Sequence, residues 1–191
     1  ANLAPDMANG YPDVTKKPKP FEKVIPAPAG SLSASGADMG RFMIAHLHDG
    51  AGLLKPETAW MMHGYKAPGV GPLNSMALGF YEQRINGHRA IAHGGDTVWF
   101  HSYLWLFPDA DVGVFISMNS PGKEGAAGAI RSALFHKFGE HPGFISQSPF
   151  LRNMAKNAFA LCTASPIRNH FLSIGINIFL TDSVTLQFAG V

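Results

Sequence analysis

The chain has 191 residues, 46% of them apolar and 15% charged, a balance that excludes an intrinsically disordered polymer and suffices for one packed domain. A formal net charge of +2 gives no electrostatic case for nucleic acid or an anionic membrane surface as a partner. The single cysteine, Cys162, excludes an intrachain disulfide and a Cys-x-x-Cys metal site but leaves the redox compartment open.

The first residues, ANLAPDMANGYPDV, have neither a basic nor an apolar stretch, so no signal peptide is expected in this chain. Ala1 to Ala29 carries Pro5, Pro12, Pro18, Pro20, Pro26 and Pro28, which predicts an extended arm without regular structure. An arm of this length needs a surface to pack on, and nothing local in the sequence supplies one. Its lysines, Lys16, Lys17 and Lys19, read as a solvated face, with a phosphate or polyanion contact as the alternative.

Ser33 or Ser35 is placed to cap a helix over Ala37 to His48, where Met39, Phe42, Met43 and Leu47 recur at three- and four-residue spacing and Gly50 stands at the end. That pattern predicts an amphipathic helix covering a sheet. Pro56 near a first helical position predicts a short second helix within Leu53 to Met62, with Trp60, Met61 and Met62 as core or pocket wall. Gly64 to Met76 reads as a loop.

Four strands follow. Gly79 to Ile85 ends at Asn86-Gly87, the strongest short-range hairpin signal, and His88 to His93 resumes the pairing. Val98 to Phe107 places Trp99, His101, Tyr103, Trp105 and Phe107 on one parity, and Pro108 to Asp111 turns it into Val112 to Met118. Between the second and third strands stands His93-Gly94-Gly95. Adjacent glycines there permit close approach of a ligand or a positive φ, or else form a bulge or turn with the histidine satisfying a backbone group.

A helix over Glu124 to Phe138, with Ala126, Ala127, Ile130, Ala133, Leu134 and Phe138 in one stripe, is expected to cover the sheet. Leu151 to Cys162 reads as a further helix. Phe171 to Leu180 is too short to cross a membrane and reads as a buried strand or a tail packed on the domain, with an interfacial segment as the alternative. Metal binding is not expected: His46 and His48 do not share a helix face, and His88, His93 and His101 have no acidic or thiol companion at a recognised spacing.

Three segments together carry a resemblance: PAGSLSASGADMGRFMIAHL at Pro28 to Leu47, LGFY at Leu78 to Tyr81, and AHGGDTVWFHSYLWLFPDADVGVFISMNS at Ala92 to Ser120. Over roughly Asn2 to Phe138 the chain resembles the carboxy-terminal half of the serine beta-lactamase-like superfamily. That superfamily spans class C beta-lactamases, D-alanyl-D-alanine carboxypeptidases, D-aminopeptidases and esterases. The resemblance implies an α+β fold, an antiparallel sheet flanked by helices as in beta-lactamases and transpeptidases, incomplete without its amino-terminal half. Residues 1–139 would be the carboxy-terminal portion of that domain, and residues 140–191 an extension of uncertain structure.

By the same resemblance, His93-Gly94-Gly95 occupies the place of the family's third motif, on the strand lining the active-site groove. His93 would then be an accessory catalytic residue of the groove wall, and His93, Gly94, Gly95 and Asp96 would bind substrate. A neutral histidine in place of the commoner lysine favours an ester or amide over a carboxylate-bearing beta-lactam. The implied partners are a small-molecule or peptide-like substrate and the missing amino-terminal half, with no nucleic acid, no clear membrane span, no cofactor and no metal. The implied location is periplasmic, secreted or membrane-associated in bacteria.

The family's nucleophile stands in Ser-x-x-Lys ahead of this region, with a Tyr-x-Asn motif after it. Here Ser31, Ser33 and Ser35 have Ala34, Gly36 and Asp38 at the third place, and only Ser120-Pro121-Gly122-Lys123 spells the motif. It does so in a proline-glycine loop on the wrong side of the groove strand, so Ser120 is read as loop and the chain has no nucleophile. Two alternatives stand beside a partial serine hydrolase. One is a non-catalytic binding or structural domain of the same fold; the other is an unrelated soluble domain in which HGG is only a turn.

Overall fold

The computed structural model describes residues 7–12, 17–25, 27, 29–65, 75–85, 87–121, 128–129, 132, 174–180 and 184–187. Helix α1 runs over Gly36–Leu47, and Ser35 caps it: its hydroxyl accepts from the Asp38 amide, and the Asp38 carboxylate accepts from the Ser35 amide. This reciprocal box satisfies two amides that the first turn leaves without helical partners. Helix α2 spans Pro56–Gly64 with Pro56 in its first turn as expected, while Leu53 and Leu54 donate back to the Gly50 carbonyl in the turn between the helices.

Strands β1 (Tyr81–Ile85), β2 (His88–Asp96), β3 (His101–Phe107) and β4 (Val112–Met118) form a four-stranded antiparallel meander. The β1–β2 turn closes on an Ile85↔His88 pair, and Gly87 takes φ +86°, as a tight hairpin requires of its glycine. Strands β5 (Ile174–Leu180) and β6 (Val184–Gln187) extend the sheet to six in the order β1-β2-β3-β4-β5-β6. Phe171 to Leu180 thus contributes a strand, paired with β4 from Val112↔Leu180 to Met118↔Ile174.

Three strand boundaries move, the first of them the start of β1, which is Tyr81 rather than Gly79. The second strand does not stop at His93 but stays paired through Gly94↔Tyr103, Gly95↔Ser102 and Asp96↔His101. The third begins at His101 rather than Val98, because residues 97–100 form the connection: the Thr97 amide donates to the Phe100 carbonyl at 2.8 Å, and the Phe100 amide to Thr97 Oγ1 at 3.0 Å. Neither glycine of the pair has a positive φ, so the bulge and turn readings of HGG both give way to regular strand.

The core lies between α1 and one face of the sheet, where Met43, Ala77, Phe80, Ile91, Leu104, Leu106 and Phe115 pack together with Met39, Phe42, Leu47 and Met62 around them. Met43 is wholly buried, and burying a side chain of that size stabilises by about 2 to 3 kcal/mol. The opposite parity, with Ala90, Ala92, Trp105, Val114 and Ile116, is buried as well. Strand alternation therefore matters less here than burial on both faces, and the aromatic parity of β3 is not the face that meets α1. The helix expected over Glu124 to Phe138 lies largely outside the described residues, of which Gly128, Ala129 and Ser132 are helical. The helix expected over Leu151 to Cys162 lies wholly outside them.

The proline-rich arm does find a surface. The Tyr11 amide donates to the Asn119 carbonyl at 2.8 Å, Asn119 Nδ2 donates to the Asn9 carbonyl at 2.9 Å, and the Phe21 and Phe100 rings meet at 5.6 Å. Glu22 spans the β2–β3 connection, its carboxylate accepting from the amides of Val98 at 3.2 Å and Trp99 at 3.3 Å.

Candidate functional site

The site is built on the outer half of β2. Pairing with β1 ends at Tyr81↔Ala92, whereas pairing with β3 continues to Asp96↔His101. Among the described residues, the backbone of His93 to Asp96 is thus hydrogen-bonded on one side only. An open strand edge of this kind offers amide donors and carbonyl acceptors to an extended ligand.

Alternation divides the four residues expected to bind substrate. His93 and Gly95 share the face of Ile91, while Gly94 and Asp96 point the other way. His93 is exposed, lies at the first unpaired position of the edge, and stacks on Tyr81 with ring centroids 5.2 Å apart and planes 11° from parallel. Its ring nitrogens make no hydrogen bond among the described residues, so the reading in which it merely satisfies a backbone group is not realised.

The two glycines have different reasons to be glycine. A Cβ at Gly94 would come within 2.8 Å of Tyr103 Cε2, so Gly94 makes room for that ring, which meets Trp105 in a tilted contact at 4.2 Å and accepts from Gln83 Nε2 at 3.3 Å through its hydroxyl. A Cβ at Gly95 would meet only Ser102 Oγ, at 3.2 Å, on an exposed stretch. Gly94 is therefore a packing residue. Gly95 is the one that leaves the strand surface clear.

Asp96 ends the strand by pairing with His101 Nδ1 at 2.8 Å. His101 thus has an acidic partner across the ladder, though not one at a recognised metal-ligand spacing. No three His, Cys, Asp or Glu side chains come together as a metal site among the described residues. Ser120 lies just past β4 and is buried at 3% exposure. Lys123 is outside the described residues.

A family model described as Beta-lactamase matches residues 2–137. The chain belongs to the beta-lactamase family. Searches of curated proteins and of solved structures found no match. The α+β sheet flanked by helices α1 and α2 is the architecture of beta-lactamases and transpeptidases, and the third reading of the sequence, an unrelated domain, falls away. No helix among the described residues is long and apolar enough to cross a membrane.

Sequence reasoning missed three contributors around this beta-lactamase-family strand: Tyr81, Glu22, and a histidine pair, His46 with His63, between α1 and α2. Tyr81 was visible only as part of LGFY. Glu22 sits in an arm with no periodicity, 76 residues from the amide it holds.

Proposed function

We propose that this chain forms one wall of the acyl-transfer site of a serine hydrolase in the beta-lactamase family. The substrate is an ester, an amide or a beta-lactam, and the nucleophile and base come from the other half of the domain. The observation that carries the reading is the open edge of β2 from His93 to Asp96, regular in backbone, clear of side chain at Gly95, and headed by an imidazole free to hydrogen-bond.

An acyl group lying along that edge would pair with the strand as a further strand does. Gly95 adds no side chain to displace it, and His93 stands where charge develops on a substrate oxygen or on the proton shuttle. Such a wall orients and stabilises but does not attack. Acyl-enzyme chemistry also needs an activated hydroxyl, so the chain by itself is a poor catalyst.

The test is covalent labelling. The chain alone, treated with a fluorophosphonate or a fluorescent penicillin, takes no stoichiometric adduct. Joined to a half-domain that carries Ser-x-x-Lys, it hydrolyses a p-nitrophenyl ester or a chromogenic beta-lactam. In that joined protein His93→Ala lowers kcat/KM by about ten- to a thousandfold while the Tm holds, because His93 is exposed. A labelled serine in the isolated chain, Ser120 included, overturns the division of labour. Activity of His93→Ala within twofold of the parent removes His93 from the mechanism. A joined protein that binds ligands but never turns over would favour a non-catalytic domain of the same fold.

A further inference from the structure

An exposed histidine on a strand edge has several rotamers open to it, and a group that must meet a substrate oxygen gains from being held in one. His93 is held by a ring. Tyr81 lies against one face of the imidazole, nearly parallel at 11° and 5.2 Å, and His93 as a whole stays exposed. No hydrogen bond among the described residues occupies either nitrogen.

Tyr81 is itself well anchored. It is the last β1 residue paired with β2, opposite Ala92, and it bridges to Met76 on its other side. The residues on either side of it are tied down: the Phe80 carbonyl accepts from the Ala77 amide at 2.8 Å, and the Glu82 amide donates to the Ser75 carbonyl at 2.7 Å. Phe80 and Glu82 are both buried. The orientation of the imidazole is thereby referred to the core of the sheet rather than to solvent.

We propose that Tyr81 is a positioning residue for His93: it fixes the imidazole plane so that a ring nitrogen meets an oxygen acceptor of an ester or amide bound along the His93 to Asp96 edge. The proposal rests on the hydrolase reading above for the identity of the ligand, and on the stack alone for the role of Tyr81. An aromatic ring at position 81 is what the role requires; the phenol hydroxyl is not.

Two measurements separate these dependences. In the chain itself, the His93 ring protons, assigned by their loss in His93→Gln, resonate upfield of those of an unstacked histidine because they lie over the Tyr81 ring. Tyr81→Phe keeps that shift and Tyr81→Leu abolishes it, while the amide resonances of the Ile91 and Leu106 pair stay in place in both variants. An unchanged His93 shift in Tyr81→Leu, or equal loss in Tyr81→Phe, overturns the stack. In the joined hydrolase, Tyr81→Leu lowers kcat/KM for a p-nitrophenyl ester by about tenfold, the scale of an aromatic pair, and Tyr81→Phe restores it to within about twofold. Equal activity of the Leu and Phe variants overturns the positioning role. Absence of hydrolysis in the joined parent protein overturns the hydrolase reading and the substrate half of this proposal, while the ring shifts still decide the stack.

Discussion

His46 Nδ1 and His63 Nε2 stand 2.8 Å apart across the contact between α1 and α2, so one ring donates the proton that the other accepts, and the accepting ring is neutral. Phe42 and Phe80 enclose the His46 ring at 4.4 and 5.4 Å, Phe80 also meets His63 at 5.7 Å, and His46 is only 5% exposed. Burial, and secondarily the charge His63 would carry, pushes His46 from 6.5 down to about 4. His63 is lowered first by burial and then by the Arg89 guanidinium, with Asp49 acting the other way. Arg89 donates to the His63 carbonyl and is paired with Glu82 at 3.1 Å, so the charged groups around the pair come from β1, β2 and the end of α1.

The pair should make stability fall with acid. Between pH 6.5 and about 4 the unfolded chain binds protons that the folded chain refuses. The stabilisation is therefore complete above 6.5 and is lost as the pH falls towards 4. A displacement from 6.5 to about 4 corresponds to about 3 kcal/mol. Urea denaturation at several pH values measures it, and His46→Phe with His63→Leu should flatten the slope. A parent protein equally stable at pH 7 and pH 5, or a double variant that keeps the slope, would contradict the assignment.

The two adjacent glycines of β2 should respond differently to a methyl group. Gly94→Ala puts a Cβ into the Tyr103 ring and should cost about 1 to 3 kcal/mol, whereas Gly95→Ala meets only the Ser102 hydroxyl and should cost well under about 1 kcal/mol. Tyr103→Ala combined with Gly94→Ala should show the two effects to be non-additive, since Tyr103→Ala removes the ring atoms that the Cβ of Gly94→Ala strikes. Equal melting temperatures for the two single variants would refute the distinction. In a working hydrolase the order of harm should reverse for activity, with Gly95→Val the more damaging.

Glu22 should hold the β2–β3 connection. Hydrogen bonds from the Thr97 side chain, then from the Val98 and Trp99 amides, outweigh partial burial and keep its carboxyl below the ordinary value of 4.5. Its contribution is thus present above pH 4.5 and lost as the pH falls through the lowered value. Hydrogen exchange at the Val98 and Trp99 amides should accelerate in Glu22→Ala at neutral pH, while the Ile91↔Leu106 region of the ladder keeps its protection. Unchanged exchange at both amides would mean that the arm only rests on the sheet.

Much of the fold was legible because its signals are local. Ser35 with Asp38, the three-and-four spacing through Met43, the Asn86-Gly87 turn and the alternation in β4 each act within a few residues, and each element formed within a few residues of its expected bounds. The motif segments from Pro28 to Ser120 carried the family as well, since they record a whole domain's constraints in contiguous residues.

What only the tertiary structure decided was every relation between residues distant in sequence. Local pattern could not extend β2 past His93, because Gly94 and Gly95 have no strand preference of their own and are held by pairing with Tyr103 and Ser102. It could not show that HGG alternates across two faces, that His101 has Asp96 beside it, or that Tyr81 lies on His93. Nor could it join Glu22 to Val98, or His46 to His63. Chain periodicity encodes which side of an element is apolar, whereas a hydrogen bond or a ring stack depends on how two elements are brought together, and that is set by burial of the common core.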